Sequence, residues 1–321
     1  MKLIIQIPCF NEGESLPTTL ASLPRHIDGF DSVEWLVIND GSTDRTVEIA
    51  RANGVDHIVD FDVNRGLARA FMAGIERALE EGADVIVNTD ADNQYDARDI
   101  PVLVAPILAR RAQFVVGARP ISTIEHFSAV KKLLQRLGSW VVRFTSATDV
   151  RDAPSGFRAI SREAALRLNV FDGYSYTLES IIQAGRLGIR VTSVPIRVNG
   201  ETRPSRLIRS VPSYITRSSF SILRSLLVYS PGRTFAALGA LPVLIGSGLA
   251  LRWLILFMSG TERTRLPSLI AAAVLLLAGF ILWLCAMLGE LIGINRRLLE
   301  DMQHQLRRAR LDKDDGPGNA A

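Results

Sequence analysis

The segment Asp84-Val85-Ile86-Val87-Asn88-Thr89-Asp90-Ala91-Asp92-Asn93-Gln94 joins an apolar run to a pair of carboxylates. An apolar run this short is typical of a strand buried on both faces of a parallel sheet. In an extended chain, side chains two residues apart point the same way, so we expect Asp90, Asp92 and Gln94 on one face. Such oxygen ligands suit Mg²⁺ or Mn²⁺, and Mg²⁺ commonly also bridges to substrate phosphates. The segment therefore predicts a divalent-metal site at a strand end, where α/β proteins bind ligands.

The Asp-x-Asp pattern is weak evidence when taken alone, because it occurs elsewhere in the chain. Asp60-Phe61-Asp62 also follows a short apolar run, and Asp312-Lys313-Asp314 lies in a polar tail. We expect neither to bind metal. The context of the pair must therefore decide its role.

Strand and helix patterns alternate along the first 120 residues. We predict strands at Lys2–Ile7, Val33–Ile38, His57–Val59, Val85–Val87 and Phe114–Gly117, with helices between them. Ser42 is predicted to cap a helix that ends at Ala52. Further along, we predict a long helix at His126–Ala147, a loop at Asp152–Arg158, a helix at Tyr176–Gly188 and an edge strand at Val191–Val198 containing Pro195. This order indicates an α/β fold with a mostly parallel central sheet.

Polar residues follow the first two predicted strands as well. Pro8, Phe10, Asn11 and Glu12 form either a ligand loop or an ordinary turn. Asp40 either accepts hydrogen bonds from a nucleoside or stabilises a turn before the next helix. Glu12, Asp40 and Asp90 follow three predicted strands and would lie along one edge of the sheet. Together they favour a ligand site there.

Patterns of several other functional classes are absent from the sequence. No G-x-G-x-x-G follows the first strand, which disfavours a dinucleotide-binding domain. The histidines lack zinc-ligand spacing, and no Ser-His-Asp or Cys-His pattern is present. We find no nucleic-acid-binding module and expect no nucleic-acid partner.

Two apolar segments, 234–258 and 266–289, are each long enough to cross a bilayer, which takes about 20 residues. Only Arg252 interrupts the first, and the short connection predicts a transmembrane hairpin. Residues 205–230 mix Arg and Ser with apolar residues at helical spacing, as amphipathic helices on a membrane surface do. We divide the chain into an α/β domain (1–202), juxtamembrane amphipathic helices (203–232), two transmembrane helices (233–294) and a polar tail (295–321).

The arginine distribution predicts the orientation of these segments. Seven arginines precede the hairpin from Arg197 to Arg233, five follow it from Arg296 to Arg310, and the turn contains only Arg263 and Arg265. Positive flanks stay in the cytoplasm, so we place both termini and the α/β domain on the cytoplasmic side of the inner membrane. Cys9 and Cys285 imply no disulfide framework.

Several of these motifs resemble family 2 glycosyltransferases, which have a GT-A fold. The matching pieces are Ile7-Pro8-Cys9-Phe10-Asn11-Glu12, Asn39-Asp40-Gly41-Ser42-Thr43-Asp44, Asn64-Arg65-Gly66 and Asp90-Ala91-Asp92-Asn93-Gln94. Asp152–Arg158, Tyr176-Thr177-Leu178-Glu179, Pro204-Ser205-Arg206 and the hairpin are similar to the polyprenyl-phosphate branch, typified by dolichyl-phosphate mannose synthase. The chain departs from the family's common residues at Cys9, Asn93 and Tyr95.

The resemblance implies a membrane-anchored enzyme that transfers a sugar from a UDP- or GDP-sugar to undecaprenyl or dolichyl phosphate with inversion. It implies catalytic roles for Asp92, Arg119, Arg158 and Arg206, and a Mg²⁺ or Mn²⁺ ion on Asp90, Asp92 and Gln94. The implied nucleotide-binding residues are Pro8, Phe10, Asn11, Glu12, Asp40, Gly66, Asp90 and Ala91. A homo-oligomer is compatible with this arrangement.

Two other functions stay open at this point. A processive polysaccharide synthase would carry a Q-x-x-R-W element, and Gln183-Ala184-Gly185-Arg186-Leu187 matches it except for the Trp. A non-catalytic, membrane-tethered nucleotide-binding protein is the other alternative.

The orientation can be tested with reporters. We expect a reporter inserted at 260–264 to be accessible from outside the cell, and reporters at both termini to be accessible only from the cytoplasm, because of the arginine bias. Labelling of intact and permeabilised cells distinguishes the two sides. A terminus labelled in intact cells would reverse the orientation.

Overall fold

The computed structural model describes residues 1–120, 143, 148–170, 176–199, 220, 223–224, 226–227, 230–259 and 266–314. They fall into two units, Met1–Ser221 with Asp301–Ala321, and Ile222–Glu300. Most of the helix predicted at His126–Ala147, and the predicted surface segment that contains Arg206, lie outside the described residues.

Seven strands form the central sheet of the first unit. They are β1 (Lys2–Cys9), β2 (Ser32–Asn39), β3 (His57–Asp60), β4 (Val85–Asn88), β5 (Phe114–Ala118), β6 (Arg158–Ser161) and β7 (Val191–Pro195). Their order is β3-β2-β1-β4-β6-β5-β7. All neighbours are parallel except β6, which runs antiparallel to β4 and β5. The predicted mostly parallel sheet is confirmed, and β7 is the edge strand that Pro195 indicated.

The helices of this unit follow the predicted alternation. They are α1 (Leu16–Ser22), α2 (Thr46–Ala52), α3 (Leu67–Glu80), α4 (Ile100–Leu108, preceded by a 3₁₀ turn at Ala97–Asp99), α5 (Arg162–Arg167) and α6 (Tyr176–Arg186). The prediction that Ser42 caps α2 is wrong, since this helix begins at Thr46 with Arg45 at the N-cap. Ser42 Oγ instead accepts a hydrogen bond from the Asn11 N–H.

The core lies around the central strands, where β1 pairs with β2 on one side and β4 on the other. Every residue of β1 from Leu3 to Cys9 is buried. Gln6 is the polar exception in this strand, and its Nε2 donates to Asn88 Oδ1 on β4 at 2.9 Å. This bond holds Asn88 beside the strand end that carries the acidic residues.

The second unit contains α7 (Pro231–Met258) and the first part of α8 (Leu266–Asp314). The two helices pack closely through glycines: a Cβ on Gly239 would lie 2.7 Å from Trp283, and one on Gly279 would lie 2.4 Å from Val243. Small residues at such contacts are typical of packed membrane helices. Pro231–Met258 and Leu266–Arg296 are long and apolar enough to cross a membrane, by length and composition. The predicted apolar hairpin is present.

The helix α8 does not end near the predicted boundary at residue 294. It continues to Asp314, so the segment expected to be a polar tail is largely helical. Arg307 in this extension belongs to the first unit, where it donates to the Leu168 carbonyl at 2.6 Å and pairs with Glu76 at 2.8 Å.

Two glycines provide a matched test of how tightly the strand-end loops pack. Gly41 and Gly82 both have left-handed backbones, at φ +70° and +79°, but a Cβ on Gly41 would lie 2.4 Å from the backbone of Val63 and Asn64, while nothing lies within 4 Å at Gly82. We expect Gly82→Ala to destabilise the protein by about 1–2 kcal/mol, and Gly41→Ala by about 2–5 kcal/mol because the clash adds to the strain. Thermal unfolding in detergent measures both, and equal losses would contradict the close approach.

Candidate active site

The loops that follow β1 and β2 brace one another at the carboxyl edge of the sheet. Three consecutive N–H groups of the first loop donate to side chains of the second: Asn11 to Ser42 at 2.9 Å, Glu12 to Thr46 at 3.0 Å and Gly13 to Asp44 at 3.0 Å. Asn11 has a left-handed backbone, at φ 54°. The structure therefore brings together the loops that carry the predicted nucleotide-binding residues.

Asp40 has a clear structural role in this arrangement. Its two carboxylate oxygens accept the backbone N–H groups of Arg65 at 2.7 Å and Gly66 at 3.0 Å. The side chain is buried, so the carboxylate fixes the start of α3 against the end of β2. Of the two interpretations open for Asp40, turn stabilisation is present in the structure, with partners in the β3–α3 connection. Of the other predicted contacts, Pro8 and Ala91 are buried and Phe10 is exposed.

Residues 89–95, which we call the acidic loop, follow β4 and do not continue it. Asp92 Oδ1 accepts the Gln94 N–H at 3.1 Å, and Asn93 has a left-handed backbone at φ 56°. The expectation that an extended chain aligns Asp90, Asp92 and Gln94 is therefore wrong, since the chain turns between them. Asp90 and Asp92 nevertheless lie close enough for their charges to interact.

Asp90 lies in a polar but poorly hydrated position. Burial by the surrounding protein, and then the charge of Asp92, raise the pKa of Asp90 to about 6, although part of the side chain still reaches solvent. The charges of Arg119 and Arg158 and a hydrogen bond from Tyr95 oppose this rise. A cation next to a carboxylate with a raised pKa would stabilise its ionised form.

The loop before β6, which we call the 152–157 loop, comes close to Asp90. A Cβ on Gly156 would lie 2.9 and 3.0 Å from the two Asp90 carboxylate oxygens and 3.1 Å from the Tyr176 hydroxyl. The Gly156 N–H donates to the Tyr95 hydroxyl at 2.9 Å, and its carbonyl accepts from Asn88 Nδ2 at 2.8 Å. The missing side chain of Gly156 therefore leaves room beside Asp90.

Arg119 is held by a carboxylate of the same loop. Its Nε and Nη2 donate to the two oxygens of buried Asp152 at 2.7 and 3.1 Å, and its backbone N–H also reaches Asp152 at 3.2 Å. Bidentate pairing of this kind fixes a guanidinium group in one orientation. Arg119 keeps about a fifth of its side chain exposed.

Arg158 lies deeper than a ligand for an incoming phosphate would. The side chain has no exposed surface, and its three nitrogens donate to Ser155 O at 2.8 Å, Ser180 Oγ at 2.5 Å and Ala153 O at 2.9 Å. Burial lowers the pKa of Arg158 to about 10, so the group is still cationic at neutral pH. Arg158, for which the resemblance implied a catalytic role, therefore shapes the 152–157 loop and acts on Asp90 through its charge.

Several residues of the site were not among the predicted ones. They are Asn88, Tyr95, Asp152, Gly156 and Tyr176. Asn88 carried a signal, since a polar residue that ends a buried apolar strand needs a partner. Asp152, Gly156 and Tyr176 lie in segments that resembled the family but had no assigned role, and the approach of the 152–157 loop to Asp90 depends on β6 returning antiparallel to β4, which no local pattern shows.

The donor set fits a hard divalent cation. Among the residues that the structure describes, no group of three or more His, Cys, Asp or Glu side chains could hold a metal ion. The two carboxylates of Asp90 and Asp92 would leave coordination positions for water or phosphate, as Mg²⁺ sites commonly do. The raised pKa of Asp90 and the space beside Gly156 agree with a cation at this point.

Comparison with known proteins identifies the family. The family model for glycosyl transferase family 2 matches residues 4–172, more than half of the chain. The chain belongs to glycosyl transferase family 2. This family assignment confirms the resemblance drawn from the strand-end motifs, and the protein is a glycosyltransferase.

Individual relatives agree with this assignment. The chain is 30% identical over 219 residues to an undecaprenyl-phosphate mannosyltransferase of Micrococcus luteus, covering 64% of this chain and 88% of the relative. It is 27% identical over 213 residues to a UDP-N-acetylglucosamine–dolichyl-phosphate N-acetylglucosaminyltransferase of Methanococcus voltae, covering 60% and 83%. Glucosyl-3-phosphoglycerate synthase of Mycobacterium tuberculosis, solved with Mn²⁺ and UDP, has a similar fold (TM-score 0.55, 23% identity, 70% and 78% covered).

Because the space beside Asp90 is small, one methyl group added at Gly156 should impair the site. Gly156→Ala should lower transfer activity by about 10-fold or more, because the new methyl would displace Asp90 or Tyr176, whereas the melting temperature should fall by only a few degrees. Pro154→Ala, at an exposed position of the same loop, is the control and should stay close to wild type. Wild-type activity in the Gly156 variant would show that the methyl is accommodated.

Proposed function

We propose that the protein is a membrane-anchored, inverting glycosyltransferase that moves a sugar from a nucleotide-sugar to a polyprenyl phosphate. The observation that carries this proposal is the clustering of Asp90, Asp92 and the cation Arg119 at one sheet edge of a family 2 domain. The names of the two relatives, which act on undecaprenyl and dolichyl phosphates, support the acceptor class.

The donor is a UDP- or GDP-sugar held at the ends of β1, β2 and β4. Asp90, Asp92 and Gln94 would hold Mg²⁺ or Mn²⁺, which neutralises charge on the departing diphosphate when bound. The nucleotide would lie against the loops that contain Pro8, Phe10, Asn11, Glu12, Asp40, Gly66 and Ala91. Asp40 contributes by fixing the loop at Gly66. The relatives transfer different sugars, so the proposal extends to a hexosyl group and no further.

A phosphate acceptor needs cationic ligands more than it needs a general base. A phosphate monoester is largely dianionic at neutral pH, since its second pKa is near 6. Its oxygen would attack the anomeric carbon from the face opposite the diphosphate, and the bond from that carbon to the diphosphate oxygen would break, which inverts the configuration. We propose Arg119 and Arg206 as phosphate ligands, because guanidinium groups bind phosphate through paired N–H groups.

The length and apolar composition of α7 and of the first part of α8 support membrane attachment. A lipid-linked acceptor requires the site to lie at a membrane surface, and we propose a two-span anchor in the inner membrane. The catalytic domain and both termini would be cytoplasmic, as the arginine bias predicts. The homo-oligomer stays a prediction.

The processive polysaccharide synthase is the second candidate, and one residue bears on it. Gln183, the first residue of the incomplete Q-x-x-R-W element, is buried, and its amide bonds the backbone of Asn169 at 2.8 and 3.1 Å. Gln183 therefore packs inside the protein and does not face a substrate. This favours the lipid-phosphate function over the synthase.

The decisive experiment is a transfer assay in detergent with UDP- and GDP-sugars, Mn²⁺ or Mg²⁺, and polyprenyl phosphate. We expect one sugar on the lipid, loss of product with EDTA, and a decrease of about 100-fold or more for Asp90→Asn and Asp92→Asn. Asp62 is exposed in the Asp60-Phe61-Asp62 sequence, and Asp62→Asn should be nearly silent.

Two results would reject this function. A polymeric product would favour the synthase, and undiminished transfer by Asp92→Asn or in EDTA would remove the metal from the reaction.

A further inference from the structure

One residue donates hydrogen bonds to three consecutive carbonyl groups of the acidic loop. The Asn199 N–H donates to Gln94 O at 2.9 Å, and Asn199 Nδ2 donates to Asn93 O at 2.9 Å and to Tyr95 O at 3.4 Å. These groups belong to the turn in which Asp92 accepts the Gln94 N–H. Asn199 and Asp92 therefore both bond the backbone of this turn, Asn199 at its carbonyl groups and Asp92 at the Gln94 N–H.

We propose that Asn199 is a positioning residue for the acidic loop, which holds the backbone of residues 93–95 so that Asp92 and Gln94 keep the orientation needed for the metal. The inference rests on the proposed function, since it takes this loop as the metal-binding segment. Partners that orient metal ligands typically contribute about 10–100-fold to metal affinity.

The turn needs such support because of its backbone. Asn93 has a left-handed conformation, at φ 56°, which costs free energy for any residue with a side chain. Its carbonyl and those of its two neighbours would otherwise need water or other donors. Three bonds from Asn199 meet this need and select one loop conformation.

The segment that contains Asn199 is also held independently of the Asn199 side chain. The Arg197 guanidinium donates to Asp99 at 3.0 and 2.6 Å, and Val198 forms an antiparallel bridge with Tyr95. A change at Asn199 should therefore leave the segment in place and act mainly on the loop.

The amide group allows a sharp test, because Asn199→Asp keeps the shape and replaces the donating NH₂ with an oxygen. That oxygen would face the carbonyls of Asn93 and Tyr95 and repel them, whereas Asn199→Ala removes only the two side-chain bonds and keeps the backbone bond to Gln94. The matched control is Asn53→Asp at the end of α2, where the lost bond runs from Nδ2 to the Ile49 carbonyl, remote in sequence from the acidic loop.

The experiment measures Mn²⁺ binding to the full-length protein in detergent by EPR, with UDP or GDP present, together with the melting temperature and the half-saturating metal and acceptor concentrations in transfer. We expect Asn199→Ala to weaken Mn²⁺ binding about 10-fold and Asn199→Asp up to about 100-fold. The melting temperatures, the acceptor dependence and the Asn53 variant should stay close to wild type.

The outcomes separate this inference from the proposed function. Wild-type Mn²⁺ affinity in both Asn199 variants, or weakening that only follows a lower melting temperature, would overturn the role of Asn199 alone. A wild-type protein that binds no Mn²⁺ with either nucleotide would overturn the proposed metal site and the inference with it.

Discussion

The antiparallel pairing of β6 with β4 brings the 152–157 loop to the edge where β1, β2 and β4 end. In a purely parallel sheet, the segment before a strand lies at the opposite edge from the segment after its neighbour. Here Asn88 pairs with Arg158 across the two strands, and Asn88 also donates to Gly156. The reversal of one strand thus places Gly156 against Asp90, and the rest of the site depends on that contact.

The charges of the site balance across this contact. Asp90 and Asp92 belong to the acidic loop that follows β4. Arg119 directly follows β5, and Arg158 is the first residue of β6. A buried guanidinium is stable only when its donors are satisfied, and Asp152 and the carbonyls of the 152–157 loop do this. Both guanidinium groups are therefore held in fixed orientations.

The strand-end loops could be predicted from the sequence, whereas the shape of the site could not. Apolar runs that end in polar residues placed Glu12, Asp40 and Asp90 at one edge, because parallel strands share a direction. The turn at Asn93 was missed, since its support comes from Asn199, far along the chain. Arg158 was expected to have a catalytic role, but its complete burial could not be predicted, because arginines are usually exposed and its partners Ser155, Ser180 and Ala153 form no local pattern.

Asn199 lies far along the chain from the acidic loop that it bonds, so translation makes the loop well before it makes Asn199. Asn93 and Asn199 are 106 positions apart, so at about 5–20 residues per second the ribosome needs roughly 5–20 s to make the second after the first. During that interval the nascent chain carries both carboxylates but lacks the donors that close their turn. The turn can therefore be closed only after residues 1–199 have been made, and before the apolar helices α7 and α8 are synthesised.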